Sequence, residues 1–401
     1  MSYGTIISAT DGNVSVNPEK YAHTPVECFQ DEKFGCDISR TFKKYDKILP
    51  VDAIKFYTYN GKCCDDSIRI EDGYVYGSLA AALHSPEYGE TVKQYFGKIA
   101  DKNDRAIAAN FSLDCRGVFV ATMPYCKTDK KLMIINFTES EQPVINLMHN
   151  LFVFGEESCA CIVEYCVSSG QSPAISNNVT ETVVGRNAKI NIVRLNEYGA
   201  NSKLIFSDFH KQCACSVLNH VNIVAGGDTV RTNTEVCLAE KRCDCNLYGL
   251  SIASGKQHID NYTFIDHAVS DSSSNELYKS MADDSATGIF NGRILVRSEA
   301  QKTAAYQSSK NILLNRNAKI YAKPQLEIYA DDVKCSHGAT IGQLNDDELF
   351  YMQARGIGKQ TARQLLLSGF ANEIAGKISD VELREFLVSK INERLAVNIN
   401  T

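Results

Sequence analysis

The sequence predicts a mainly β protein: a long core of short strands, preceded by a mixed helical region and followed by a helical one. Three observations predict it. From about Gly117 to Ala339 the apolar residues recur with period two. Gly, Asn, Asp and Ser turns separate these runs, with almost no helical pattern between them. Toward both ends the spacing returns to one that suits helices. Three regions follow, residues 1–115, 116–342 and 343–401.

In the first region, Ser78–His84 and Thr91–Phe96 have helix-compatible spacing, and Pro50, Gly61, Gly73 and Pro86 punctuate them. In the core, Lys189–Val193, Cys213–Leu218, His220–Val224, Thr229–Thr234, Ile294–Val296 and Leu326–Ala330 read as strands. So long a run of strands without helical crossovers leaves a sandwich pair, a propeller or a β-helix. No blade-length Trp-Asp repeat occurs, and the chain has no Trp. Turns carrying Asn187-Ala188 and Asn317-Ala318 suit stacked coils, which favours the β-helix.

In the last region, Asn345-Asp346-Asp347-Glu348 reads as an N-cap followed by acidic first-turn residues that complement the helix dipole. That helix continues through Leu349, Phe350, Met352 and Gln353 to a C-cap at Arg355-Gly356. A second helix covers Lys359 to about Lys377, with Ala362, Leu365, Leu366, Phe370 and Ile374 on one side. A third starts at Asp380 and spaces Leu383, Phe386, Leu387, Ile391 and Leu395 like a heptad.

Composition narrows the function. Against 48 Asp+Glu stand 42 Lys+Arg, a net charge of −6. No Lys/Arg cluster appears, which argues against nucleic acid as the main ligand. No apolar stretch approaches the ~18 residues of a membrane span. Met1-Ser2-Tyr3-Gly4-Thr5-Ile6 lacks the marks of a signal peptide, so the expectation is a cytoplasmic protein whose 15 cysteines are reduced. There is no G-x-x-x-x-G-K-[ST] loop, so the chain is not expected to hydrolyse ATP by itself. H-E-x-x-H, G-x-S-x-G and a post-strand G-x-G-x-x-G are missing as well, so the generic enzyme signatures fail.

The cysteines form no C-x-x-C, but three C-x-C pairs occur: Cys159/Cys161, Cys213/Cys215 and Cys243/Cys245. On a strand such a pair faces one side. Without a nearby His to complete a tetrahedral set, small buried side chains are the simpler reading, as for Cys63-Cys64. His258 and His267 have no evident partner. Cys335-Ser336-His337 differs, because it sets a thiol and an imidazole on one strand face where the β region ends. Together they suit iron or zinc, with coordination positions left for a partner; a buried Cys beside a hydrogen-bonded His is the structural alternative.

The stretch from about Gly249 to Ile374 resembles the SufB/SufD family of the SUF iron–sulfur cluster assembly complex, its SufD side more than its SufB side. Gln257–Thr263, Gly292–Val296 and Ala300–Ala304 carry the resemblance, and the run Lys323–Thr340 is its most specific part. It continues into Leu349-Phe350-Tyr351 and Arg355-Gly356-Ile357, while Asp114–Val120 matches loosely. Ala268–Ser274 lacks the Pro and Cys that the family carries there. The resemblance implies a right-handed parallel β-helix flanked by N- and C-terminal helical domains. It implies a non-enzymatic scaffold that pairs with SufB and docks the SufC ATPase on its C-terminal helices, through the segment holding Leu349, Phe350, Tyr351, Arg355 and Gly356. His337 and Cys335 then lie near the SufB–SufD interface as transient metal ligands. No tightly bound cofactor is implied beyond a transient iron–sulfur cluster at that interface. A homodimer through the same surface is expected when SufB is absent.

Two other readings compete. A β-helix carbohydrate-active enzyme would use acidic residues such as Asp331-Asp332, but strand neighbours point to opposite faces. A thiol redox sensor would use the many cysteines.

Overall fold

The computed structural model describes residues 51–111 and 116–399. The expectations for Met1–Ile6 and for Asp114-Cys115 lie outside the described residues. Two ten-stranded sheets form among the described residues. They face each other as the walls of a β-solenoid of about 7 turns. Successive strands alternate between the walls. Lys127–Ser140, Cys159–Gly170, Lys189–Glu197, Val217–Val224, Asp244–Ala253, Ser273–Ala282, Thr303–Leu313 and Val333–Gly342 stack in parallel in the first sheet. Val144–Phe154, Ala174–Val184, Ser202–Gln212, Thr229–Leu238, His258–His267, Thr287–Val296 and Lys319–Ile328 stack in the second. The β-helix reading therefore holds over the sandwich and the propeller.

In the inward column Ile192, His220, Leu247, Glu276, Gln307 and His337, successive register partners are 27 to 31 residues apart. Period two is the reason: alternate side chains enter the solenoid and the others face out. Every coil but the last turns into the first sheet on a residue with positive φ: Tyr125, Glu157, Asn187, Cys215, Arg242, Asp271 and Lys302, at 56° to 65°. This left-handed conformation costs a non-glycine residue about 1 kcal/mol. It aims the residue's N–H at the next coil: Glu157 donates to the Arg186 carbonyl at 2.7 Å, Asn187 to Ala214 at 2.9 Å and Cys215 to Lys241 at 3.0 Å. Cys213–Leu218 is thus no single strand, since the strand starts at Val217 and both cysteines lie in the turn.

Both outer faces are covered in part. Among the described residues three N-terminal helices, α1 (Leu79–His84), α2 (Gly89–Tyr95) and α3 (Arg105–Phe111), follow the strands Ala53–Tyr59, Lys62–Cys63, Ile68–Glu71 and Tyr74–Ser78. Ser78 caps α1 by accepting from the Ala81 N–H at 3.1 Å. Ile107 of α3 packs on Val179 and Phe209, which face outward from the second sheet. The sheets themselves reach back to Ala53, which pairs with Lys131, so they begin before residue 116.

Three C-terminal helices complete the described chain: α4 (Asp346–Ala354), α5 (Lys359–Ala375) and α6 (Val381–Ile399). The caps are those expected. Asn345 accepts from the Asp347 N–H at 2.9 Å, Gly356 takes φ +84° after the Arg355 cap, and Asp380 accepts from the Leu383 N–H at 2.8 Å. Leu383, Phe386, Leu387, Ile391 and Leu395 are all buried. The buried side of α5 is rotated from the expected one: Ala362, Leu367, Ala371 and Ile374 are buried, whereas Leu365 is exposed. The reason is packing on two sides, since Leu367 and Ala371 meet Leu250 and Met281 of the first sheet and Leu387 and Ile391 of α6 in one cluster. Lys131, almost fully buried, fixes this unit to the solenoid through Asp380 at 2.8 Å and Glu382 at 3.2 Å. Lys279 does the same through Glu373 at 2.6 Å.

Candidate functional site at the last coil

The last coil ends both walls. Among the described residues Val333–Gly342 pairs only with Thr303–Leu313, and Lys319–Ile328 only with Thr287–Val296, so each sheet there finishes on a strand with one unpaired edge. Such an edge is a template for another chain. Apolar side chains surround it: Tyr329 is 67% exposed, and Tyr306, Tyr321, Ile328 and Ile341 are exposed too.

Cys335 and His337 both lie on this last strand, two residues apart, so the expected common face is present. Their surroundings differ. Cys335 is half-buried against the apolar interior, and burial pushes its thiol pKa up, which keeps the thiol protonated and lessens its value as a ligand. His337 is exposed. It stands opposite Gln307, which stands opposite Glu276 one coil deeper. The Gln307 amide donates to the Glu276 carboxylate. Burial raises the Glu276 pKa to about 7. Room for the Gln307 amide comes from the opposite wall, where a Cβ on Gly292 would lie 2.4 Å from Gln307 Nε2.

The interior behind this end is more polar than the sequence pattern suggests. Arg194, fully buried, donates from Nη1 to Asp208 at 2.6 Å and from Nε to Glu164 at 3.0 Å. His210 and His220 meet beside them with ring centroids 5.2 Å apart, and burial lowers their pKa values to about 4 and about 3. Both are neutral at neutral pH. Their alternating positions resemble those of solvent-facing polar residues, and no local signal in the sequence marks them as inward.

The helical segment expected to dock a partner is α4. It buries none of its residues among those described; Phe350 is 72% exposed, Tyr351 is exposed, and Arg355 stacks over the Tyr351 ring at 4.7 Å. Leu349 is half-buried and Gly356 exposed. Asp331 and Asp332 lie in the turn before the last strand, not on it, and both are exposed. A glycosidase needs two carboxylates across a substrate groove, and these two are not so placed. Among the described residues no three His, Cys, Asp or Glu side chains are grouped to hold a metal ion. No helix among them is long and apolar enough to cross a membrane.

A family model described as SUF system FeS cluster assembly, SufBD core domain, matches residues 136–370. The chain is 29% identical over 277 residues to the iron-sulfur cluster assembly protein SufD of Escherichia coli, covering 66% of this chain and 64% of that one. It is 30% identical over 298 residues to an iron-sulfur cluster assembly SufBD family protein of Synechocystis sp., covering 72% of this chain and 66% of that one. To the chloroplastic protein ABCI7 of Arabidopsis thaliana it is 33% identical over 272 residues, covering 65% and 56%. The chain thus spans just under two thirds of the length of the first two relatives.

Proposed function

Because this chain belongs to the SufBD family of the SUF iron–sulfur cluster assembly system, we propose that it is a non-catalytic scaffold subunit that holds a nascent cluster at a seam shared with SufB. The observation that carries this reading is the last coil, where an exposed imidazole stands beside an unpaired strand edge rimmed with aromatic side chains. A homologous solenoid end offers the same unpaired groups, so joining two ends satisfies both. Without SufB, a second copy of this chain fits the same edge.

The cluster is cargo in this reading, and His337 lends it a nitrogen lone pair. Imidazole suits iron, and an exposed ring with open space beside Gly338 can approach a group held by the partner. Cys335 is the weaker candidate ligand, since its thiol is half-buried and raised in pKa. Gln307 and Glu276 support the same face from within. Energy has to come from elsewhere, because the sequence has no phosphate loop. The exposed helix α4, with Phe350 and Tyr351 unpacked, supports docking of the SufC ATPase there. Closure of two docked ATPase subunits would then shift the two solenoids and open the seam.

The test is co-expression of the chain with SufB and SufC, followed by subunit stoichiometry and iron and sulfide content. His337→Ala should leave the complex intact and lower the cluster yield at least about tenfold, the cost of one lost ligand contact of ~1.4 kcal/mol or more. A normal yield from His337→Ala would overturn the ligand role. Failure to bind either partner would overturn the scaffold role.

A further inference from the structure

Of the three C-x-C pairs, only Cys159/Cys161 lies wholly on a strand, Cys159–Gly170. Both thiols face outward and line a cleft of about 430 Å³ between the first sheet and the segment Lys377–Asp380, which joins α5 to α6. Three lysines and two aspartates line the cleft. Cys159 stands directly between Lys127 on one neighbouring strand and Lys189 on the other, and both lysines are exposed. Lys189 lines the cleft, as does Lys377, whose ammonium stands over the Tyr248 ring at 5.3 Å. Lys131 also lines it, already held by Asp380 and Glu382. Asp129 is the acidic residue of the cleft outside that pair.

The two thiols differ. Cys161 is buried against the C-terminal unit, and burial pushes its pKa to about 12. Cys159 is half-buried at the cleft wall between the lysines. Its sulfur is reached from the cleft, beside Lys189. The lysines draw in an anionic reactant.

We propose that Cys159 is a site of reversible thiol–disulfide exchange with small anionic disulfides, which the lysine-lined cleft admits and orients. The thiol first gives its proton to solvent. The thiolate then attacks one sulfur of the small disulfide; a new sulfur–sulfur bond to Cys159 forms and the old one breaks. The leaving thiolate takes a proton from water, and the small disulfide is itself the oxidant. Cys161 does not resolve the product. Two residues along a strand span roughly 6.6 Å, whereas bridged cysteines need their Cβ atoms about 3.8 Å apart. The adduct therefore persists until an external thiol removes it. It occupies the cleft against Lys377–Asp380, where Asp380 both caps α6 and holds Lys131.

The experiment incubates the reduced full-length chain with glutathione disulfide at pH 7.5 and follows each cysteine by peptide mass mapping. Cys159 should gain one glutathionyl group roughly tenfold faster than the exposed Cys64, which lies outside the cleft. Cys159→Ser should lose this fast adduct, and Cys161→Ser should keep it. Lys189→Gln should slow it about threefold in low salt. An unchanged fast phase in Cys159→Ser, labelling of Cys159 no faster than of Cys64, or equal rates in Lys189→Gln and the native chain would each overturn the proposal. None of these readouts depends on cluster assembly or on a partner subunit.

Discussion

Glu276→Gln should stabilise the protein above neutral pH and leave it unchanged in mild acid. Glu276 is fully buried on the first sheet, one coil below Gln307 and two below His337. Burial raises its pKa from 4.5 to about 7. For a carboxyl group a raised folded-state pKa means that folding favours the protonated form. The stability tied to this group is thus fully present below about pH 4.5 and is lost as the pH rises through 7. That rise to about 7, at ~1.4 kcal/mol for each tenfold change in proton affinity, is worth about 3 kcal/mol. The substitution keeps the shape, lets the side-chain oxygen still accept from Gln307, and offers its new N–H to the unpartnered Gln307 Oε1. Urea denaturation at pH 5 and pH 8 in the same salt measures the effect. Stability of the native chain should fall between these pH values by up to ~3 kcal/mol more than that of the variant. Identical pH dependence in both proteins, or a variant less stable at pH 8, would refute the reasoning.

Other perturbations test the interior and the junctions. Gly292→Ala should destabilise by about 1–3 kcal/mol in thermal denaturation, because its Cβ would press Gln307 off Glu276 and strike the Phe290 ring, 2.6 Å away. Arg194→Met should cost about 3–5 kcal/mol by urea titration, since it strands Glu164 and Asp208 as buried carboxylates. Asp380→Ala removes the α6 cap and the closer partner of Lys131. It should cost about 1–2 kcal/mol and speed amide hydrogen exchange in the first turn of α6. Phe350→Glu should leave the melting temperature within about 1 °C, as for most exposed sites, yet abolish co-purification of the SufC ATPase; a stable complex would move the docking surface off α4.

The helices were legible because their signals are local. Asn345, Gly356 and Asp380 announce helix ends through their own side chain or φ, whatever packs nearby. Strand alternation was legible for the same reason. Which side faces inward was not, because both outer faces carry helices over much of their length, and apolar residues occur on both sides of a strand. Arg194 and Asp208 sit inward where a polar residue in an alternating run suggests solvent. The turns were obscured by side chains such as Cys215 and Arg242 in left-handed conformations usually taken by Gly or Asn. Leu365 looked like a core position because helical spacing cannot tell which neighbours a helix will meet. At the candidate site, the shared strand face of Cys335 and His337 could be read from their spacing. Their unequal exposure, and the polar column behind His337, depend on where the stack of coils ends, which spacing alone does not record.

The buried guanidinium also disciplines how the coils thread. Apolar rungs would slide past one another with little penalty, since Ile against Leu resembles Ile against Val. Arg194 stands in register with Glu164 and meets Asp208 across the lumen. Moving that strand by a single residue would turn the guanidinium outward, put an aliphatic chain between two carboxylates, and exchange every inner side chain for an outer one. The charge triad works as a key cut for one alignment, since any other leaves two buried carboxylates without their cation.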